Sequence, residues 1–390
     1  MKYTGVVISD IHFGAFDCKQ LSYELNEVFL KYIQDMKKLD YVIIDGDYFD
    51  HKIYLNNPIV HYAITFMDSL VKLSIKRKFP IRIVYGTDSH EVNQYFVFNN
   101  YENDPDIDFK VIKTVTEEEL LPDMKVLYLP EEYVYSELDH YKNFINSNNK
   151  YNYIFGHGTI SDIMSYINTK NTSTERKHVA VFKASDLMDC CDGEIYFGHY
   201  HVNSNIDNRV FYVGSYSRWE HGEDAPKGFY HIEYDTTKNK YTHHFIENPC
   251  AKKYVTITFG YNSKALNSEE DLMKELNKRD KLIESENADY VRYIFNIPET
   301  HENPEFIIKI LNERYKFDDK IKYDITNGYI EKKKKINKQK LNEVIQEFPF
   351  IFDKSQQLED KVMYFIKKRY DYDIDINSVK KILYDNDGET

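Results

Sequence analysis

The chain is predicted to be an α/β protein on three grounds. Buried-type strands and amphipathic helices alternate from the first residues onward, the order that builds parallel sheets through right-handed crossovers. Strand after strand then ends in Asp, His or Gly-His, which lines chemistry-bearing side chains along the ligand-binding edge of a sheet. Near Asn248-Pro249-Cys250 the composition shifts, and a smaller strand–helix alternation begins.

Lys2 to Ser9 carries the apolar run Val6-Val7-Ile8 and reads as a buried strand ending in Ser9-Asp10-Ile11-His12-Phe13-Gly14. Leu21, Leu25, Val28, Phe29, Tyr32, Ile33 and Met36 fall at helical spacing, an amphipathic helix of about five turns. Tyr41-Val42-Ile43-Ile44 is a second buried strand, ending in Asp45-Gly46-Asp47-Tyr48-Phe49-Asp50. Pro58 suits the first turn of a helix that Ile59 to Leu73 continues. Ile81 to Tyr85 is a third strand, ending in Gly86-Thr87-Asp88-Ser89-His90-Glu91.

Lys125 to Leu129 (strand), Glu137 to Ile145 (helix) and Tyr151 to Phe155 (strand) lead to Gly156-His157-Gly158. Thr159 to Lys183 is polar and reads as a long loop, a common place for substrate contacts. Glu194 to Phe197 is a short strand before Gly198-His199-Tyr200-His201; Val210 to Val213, Gly228 to Tyr234 and Tyr241 to Ile246 continue as β. The expected domains are 1–248, then a small α+β domain over 252–328, then a tail over 329–390. The small domain reads as strand 254–259, helix 269–282, strand 290–296, helix 304–315 and strand 320–325. The tail opens on the charged run Glu331-Lys332-Lys333-Lys334-Lys335 and carries helical patterns at 338–347, 356–369 and 377–384.

Composition narrows the class. Of 390 residues 42% are apolar and only ten are proline, which fits a folded protein and excludes a disordered one. No apolar run approaches the length of a membrane span, and Met1-Lys2-Tyr3 leads straight into a strand, so neither a transmembrane segment nor a secretory signal is expected. Cys18, Cys190, Cys191 and Cys250 show no metal or redox spacing, which favours a reducing cytoplasm, the host's if the source is viral. A net charge of −13 argues against coating nucleic acid by charge alone, but admits a nuclease, whose site must be acidic to hold cations.

Each strand-end motif has a plain reading by itself. An Asp after a strand often forms a turn or caps a helix, and His157 alone fits a satisfied core histidine. Taken together, Asp10, His12, Asp47, His157, His199 and His201 form a donor set of four imidazoles and two carboxylates. Such a mixed N/O set suits Mn²⁺, Fe²⁺ or Zn²⁺ and is poor for Ca²⁺ or Mg²⁺ alone. With Asp47 shared, it could hold two ions about 3.5–4 Å apart.

The series D-x-H, G-D-x-x-D, a third motif ending in His, G-H and G-H-x-H resembles the calcineurin-like metallophosphoesterase superfamily. Gly214-Ser215 with Arg218, Gly222-Glu223 and Lys227-Gly228-Phe229 is similar to the segment after the last metal motif in SbcD-type double-strand-break repair nucleases, phage recombination endonuclease subunits among them. The resemblance implies a metallophosphoesterase-type β-sandwich flanked by helices, with a small α+β cap domain that contacts DNA and a helical C-terminal tail. It implies two Mn²⁺ (Mg²⁺, Fe²⁺ or Zn²⁺ as alternatives), one held by Asp10, His12, Asp47 and His201 and the other by Asp47, His157 and His199. His90 would lie beside the scissile phosphate, donating hydrogen bonds and assisting the leaving group. The implied partners are DNA (duplex ends and hairpins), an SbcC-type SMC-like ATPase docked on the tail, and a second copy of the chain.

The third motif departs from the family pattern Gly-Asn-His-Asp/Glu, whose Asn carbonyl ligates the second cation. Aligning on His90-Glu91 puts Ser89 in that place; Asp88 would be the better ligand for a hard cation, but Ser89 keeps the register. Asp50, three residues after Asp47, is expected either to orient a ligand from behind or to cap the next element. Arg218 is the first candidate for DNA contact, with Arg176 and Lys177 beside it and the 332–335 lysines readable equally as a solvated face. The stripe Leu341, Val344, Ile345, Phe348, Leu358, Val362, Phe365 and Ile366 is read as a docking face for the ATPase, with packing on the parent domain as the alternative.

Overall fold

The computed structural model describes residues 1–54, 56–91, 93–132, 140–146, 148–163, 180–297, 305–315, 320–326, 356–370 and 373–384. The chain divides into two compact units, Met1–Val255 with Asn287–Tyr290, and Thr256–Glu286 with Val291–Thr390. The strands of the first unit, in chain order, are β1 (Lys2–Ile8), β2 (Tyr41–Asp45), β3 (Ile81–Val84), β4 (Phe109–Ile112), β5 (Thr116–Leu121), β6 (Met124–Leu129) and β7 (Tyr151–His157). They continue as β8 (Thr159–Ile160), β9 (Val181–Phe182), β10 (Cys191–Gly198), β11 (Ser204–Ile206), β12 (Val210–Tyr212), β13 (Gly228–Asp235) and β14 (Lys240–Glu247).

Two six-stranded sheets form, in the orders β14-β13-β1-β2-β3-β4 and β11-β12-β10-β7-β6-β5. The expected parallel run of β1, β2 and β3 is present, but β13 joins β1 antiparallel, so the sheet is mixed. In the second sheet β6, β7, β10 and β12 are parallel, with antiparallel β5 and β11 at its edges.

The period of two along each strand explains how the sheets stack. Val7 and Ile43 point into a core shared with Val126, Tyr128, Tyr153, Phe155 and Tyr196 of the other sheet. Val6, Ile8, Val42 and Ile44 point the other way, against the helix Pro58–Arg77 and the helical stretch from Cys18. Both faces are covered, which is why these strands read as unbroken apolar runs.

The helix Pro58–Arg77 starts where Asn57 accepts the Ile59 N–H at 3.0 Å and stops at Lys78, which adopts a left-handed φ of 60°. It buries Val60, Phe66, Met67, Leu70 and Val71, each contributing about 1.5–3 kcal/mol. The first helical stretch differs from a regular five-turn helix. Between Cys18–Glu24 and Lys31–Asp35 lies a π segment, Leu25–Leu30, whose wider turn lets Leu25, Phe29 and Leu30 all face the core.

Among the described residues, five strands have no counterpart in the sequence reading. β4 and β11 are short, β8 and β9 are two-residue strands that pair at the ends of the stretch read as a loop at 159–183, and β5 is an edge strand whose Glu117, Glu118 and Glu119 obscure its alternation. Of the helix expected at 137–145, only His140 and Tyr141 are helical and residues 142–145 form turns and a bend, residues 137–139 lying outside the described residues; the helix expected at 338–347 lies wholly outside them.

In the second unit β15 (Tyr254–Phe259), β16 (Tyr290–Asn296) and β17 (Ile321–Thr326) make a three-stranded sheet, with β16 and β17 parallel. The helices Glu269–Glu286 and Glu305–Tyr315 are joined through Asp280, which accepts from Tyr293 Oη at 2.7 Å, Tyr315 Oη at 3.0 Å and Arg314 Nη2 at 2.6 Å. Two further helices, Leu358–Tyr370 and Ile376–Tyr384, follow. No helix among the described residues is long and apolar enough to cross a membrane.

Candidate metal centre

The carboxyl ends of β1, β2, β7 and β10 meet at one edge of the first unit. Asp10 and His12 follow β1, Asp47 follows β2, His157 closes β7, and His199 and His201 follow β10. The loops after β1 and β2 are tied together by Asp10 N–H to Gly46 O at 3.2 Å, His12 N–H to Asp47 O at 3.0 Å and Phe13 N–H to Tyr48 O at 2.9 Å. This close lacing needs unusual backbone: Asp10, His12, Asp47 and His199 have φ of 48°, 54°, 45° and 101°. Strained non-glycine residues of this kind gather at functional sites, where the surrounding structure holds them. Gly46 (φ 82°) is required on both counts, because a Cβ there would overlap the His157 ring.

Three overlapping groups of donor atoms result: Asp10, His12 and His201; His12, Asp47 and His90; and Asp47, His157 and His199, each within 4.8 Å of one another. Asp10, His12, Asp47 and His157 are buried. His12 Nε2 and His201 Nε2 lie 3.1 Å apart, both near Asp10 Oδ1. Two imidazole lone pairs do not face each other at that distance without a proton or cation between them. His157 donates from Nδ1 to Asp45 O at 2.9 Å, which turns Nε2 toward Asp47 Oδ2 at 3.3 Å. That buried Nε2 makes no hydrogen bond. The donor set therefore fits a cation on its own chemistry.

The electrostatics agree. Burial pushes the Asp10 carboxyl up, but the hydrogen bond with His12 and the charges of His157 and His201 outweigh it and bring it to about 2. Burial lowers His12, yet Asp10, Asp50 and Asp47 raise it to about 10. Asp47 sits well below the usual carboxylate range because His157, His90 and His12 overcome its desolvation. His199 is lowered, burial outweighing the nearby carboxylates. Without a cation, protons on imidazole supply the positive charge that the carboxylates require.

Behind the donors lies a second layer. Asp50 Oδ1 is 3.2 Å from His12 Nδ1, which places it behind that ring. Glu223 Oε1 is 3.6 Å from His201 Nδ1, and it also accepts from the buried Lys227 Nζ at 2.9 Å and, through Oε2, from Trp219 N–H at 2.9 Å. Glu131, buried after β6, lies 3.4 Å from His199 Nδ1 and 3.3 Å from Thr87 Oγ1. Trp219, the single tryptophan, packs its ring 5.0 Å from His12 and 4.9 Å from His201.

Not every expected site residue joins the cluster. Ser89 is exposed, whereas Thr87 faces the centre, donating to Asp47 from its N–H at 2.6 Å and its hydroxyl at 3.2 Å. The short helix Asp88–Glu91 causes this: Glu91 turns inward to accept from Tyr48 N–H and Gly86 N–H, and its turn carries Ser89 outward. His90, 27% exposed at its side chain, is held by Asp47 Oδ2 at 3.0 Å from Nδ1. Arg218 spends its Nε on Glu223 O and its Nη2 on Ala225 O, both at 2.9 Å, and so braces its own loop. Arg176 and Lys177 lie outside the described residues. Glu131, Thr87 and Trp219 went unassigned in the sequence; for Glu131 the available signal was its place two residues past the apolar strand ending at Leu129.

No family model and no curated protein matches the chain. Solved structures do resemble it; one of them aligns with 63% of this chain and 99% of its own at 14% identity, with a TM-score of 0.35, a likeness too slight to carry an argument. The fold and site define a mixed α/β protein with buried His/Asp clusters able to hold a metal ion.

Proposed function

We propose that the first unit is a two-metal phosphoesterase of the calcineurin-like metallophosphoesterase type, and that the protein is the DNA nuclease of an SbcD-type complex. The observation that carries this reading is the convergence of strand ends from two sheets on three overlapping donor groups, in which His12 links Asp10 and His201 to Asp47 and His90, and Asp47 links these to His157 and His199. Two Mn²⁺ are the proposed cations, with Mg²⁺, Fe²⁺ or Zn²⁺ as alternatives. When bound, they would make water nucleophilic near neutral pH and offset charge developing on phosphoryl oxygens.

The chain's own residues do the rest. Asp50 and Glu223 fix the His12 and His201 rings. Asp47 holds His90 by Nδ1, leaving Nε2 to hydrogen-bond a phosphate oxygen and assist the leaving group. Duplex ends and hairpins are the proposed substrates, the helices Leu358–Tyr370 and Ile376–Tyr384 the proposed dock for an SMC-like ATPase, and a homodimer in the cytoplasm the proposed working form. Leu358, Phe365 and Ile376, exposed on those helices, support the docking role.

A second reading, a phosphodiesterase acting on small substrates, gains support from Arg218, whose guanidinium is engaged by its own loop. One assay separates them: purified protein with Mn²⁺ or Mg²⁺ on linear duplex, hairpin and single-stranded DNA and on a small phosphodiester, with and without an ATPase partner. DNA cleavage that His90→Ala abolishes supports the nuclease. Turnover of the small ester alone supports the second reading, and inactivity on all four defeats both.

A further inference from the structure

We propose that Glu131 is a metal ligand, a carboxylate that completes the site formed by Asp47, His157 and His199. The inference rests on the metal-centre reading above and adds to it a residue that lies in none of the strand-end motifs.

The site needs another donor. Cations such as Mn²⁺ favour six ligands with oxygen well represented, and Asp47, His157 and His199 supply three. Ser89 is exposed, and the loop after β3 brings Thr87 against Asp47 in its place. Across from it, Glu131 arrives on the loop after β6, the strand that pairs with β7 and so runs beside His157. Its main chain is fixed, since Glu131 N–H donates to Tyr85 O at 3.2 Å at the end of β3. Its residue exposure is 4%, and a carboxylate that deep requires compensating charge or hydrogen bonds.

Glu131 Oε2 reaches the site from two directions: it stands 3.4 Å from His199 Nδ1, and it accepts at 3.3 Å from the Thr87 hydroxyl, which also lies 3.2 Å from Asp47 Oδ2. His157 Nε2 and Asp47 Oδ2 are 3.3 Å apart in the same site. Neighbouring ligand atoms around a cation bound at just over 2 Å are about 3 Å from one another. The Glu131–His199 separation is thus close to the Asp47–His157 one. Adding it turns the set into two carboxylates and two imidazoles, harder and more negative, a preference for Mn²⁺ or Mg²⁺ over softer ions.

The test uses the full chain and metal binding, independent of cleavage. Mn²⁺ stoichiometry and affinity are measured by calorimetry and by the free-Mn²⁺ resonance signal for the parent protein, Glu131→Gln, Glu131→His and Glu131→Cys, with near-ultraviolet circular dichroism as the fold check. Two ions in the parent, the second weakened more than about 100-fold in Glu131→Gln and regained in Glu131→His, is the expected result; loss of an outer residue alone costs about 10–100-fold. Glu131→Cys loaded with Co²⁺ should show a thiolate-to-cobalt charge-transfer band that the parent lacks. Two ions bound with parental affinity in Glu131→Gln would overturn the assignment while leaving the two-metal reading intact. A weakened second ion with no band in the folded Cys variant and no recovery in the His variant would also overturn it, leaving Glu131 an orienter of His199. A parent that binds no Mn²⁺ would remove both the reading and the inference.

Discussion

The two halves of the metal centre are built differently. Around Asp10, His12 and His201, both rings have a carboxylate behind them, Asp50 at 3.2 Å from His12 and Glu223 at 3.6 Å from His201. Around Asp47, His157 and His199 only one ring has a carboxylate beside it, Glu131 at 3.4 Å from His199, while Asp45 O fixes His157 at 2.9 Å and Thr87 N–H braces Asp47 at 2.6 Å. Side-chain carboxylates back both rings of the first half, and main chain carries more of the support in the second. Substitutions behind the ligands should therefore act on one half and spare the other.

The largest effect is expected where the halves join. On the proposed two-ion reading, Asp47→Asn removes a carboxylate common to both sites and should abolish binding of both ions together with all cleavage, checked by calorimetry with Mn²⁺; loss of only one ion would mean that Asp47 is not shared. Next comes His90→Ala, expected to keep both ions yet slow cleavage about 10²–10⁴-fold, in single-turnover assays on duplex DNA. A parental rate would remove His90 from the chemistry. Asp50→Asn and Glu223→Gln should each weaken the first ion about 10–100-fold and leave the second unchanged. Equal weakening of both ions would erase the contrast drawn here.

The smallest effect lies away from the centre and separates scaffold from site. Burial raises Glu118, but hydrogen bonds from the buried Arg82 and from Lys110 bring its carboxyl to about 2. A folded-state value below that of the unfolded chain means the pair stabilises fully above about pH 4.5, and loses that contribution as pH falls from there through about 2. Glu118→Gln should lower the melting temperature at pH 7 and narrow the gap between mutant and parent at pH 3, both measured in chelator. A gap that widens in acid would contradict this sign.

Much of this was legible in the sequence, for a physical reason. The strands with both faces buried carry continuous apolar runs, and their ends carry the candidate ligands, so β1, β2, β3, β7 and β10 could be read along with the cluster of Asp10, His12, Asp47, His157, His199 and His201. Elements whose pattern is masked could not. β5 hides under three glutamates, and the π segment Leu25–Leu30 keeps a helical period while shifting its face. The third motif failed because spacing along a loop does not reveal which residues a short helix turns inward; Asp88–Glu91 directs Glu91 in and Ser89 out. Arg218 read as the first candidate for DNA contact, and its engagement by the carbonyls of Glu223 and Ala225 could not be seen because loop geometry alone sets it.

The central claim, that the Asp/His cluster binds divalent cations, has a built-in reporter. Trp219 is the only tryptophan and its ring lies about 5 Å from those of His12 and His201. Titration with paramagnetic Mn²⁺ should quench its fluorescence along a saturable curve that chelator reverses and Asp10→Asn shifts to much higher concentration. Emission that stays constant, or falls linearly without saturation and equally in Asp10→Asn, would show that no cation is held there.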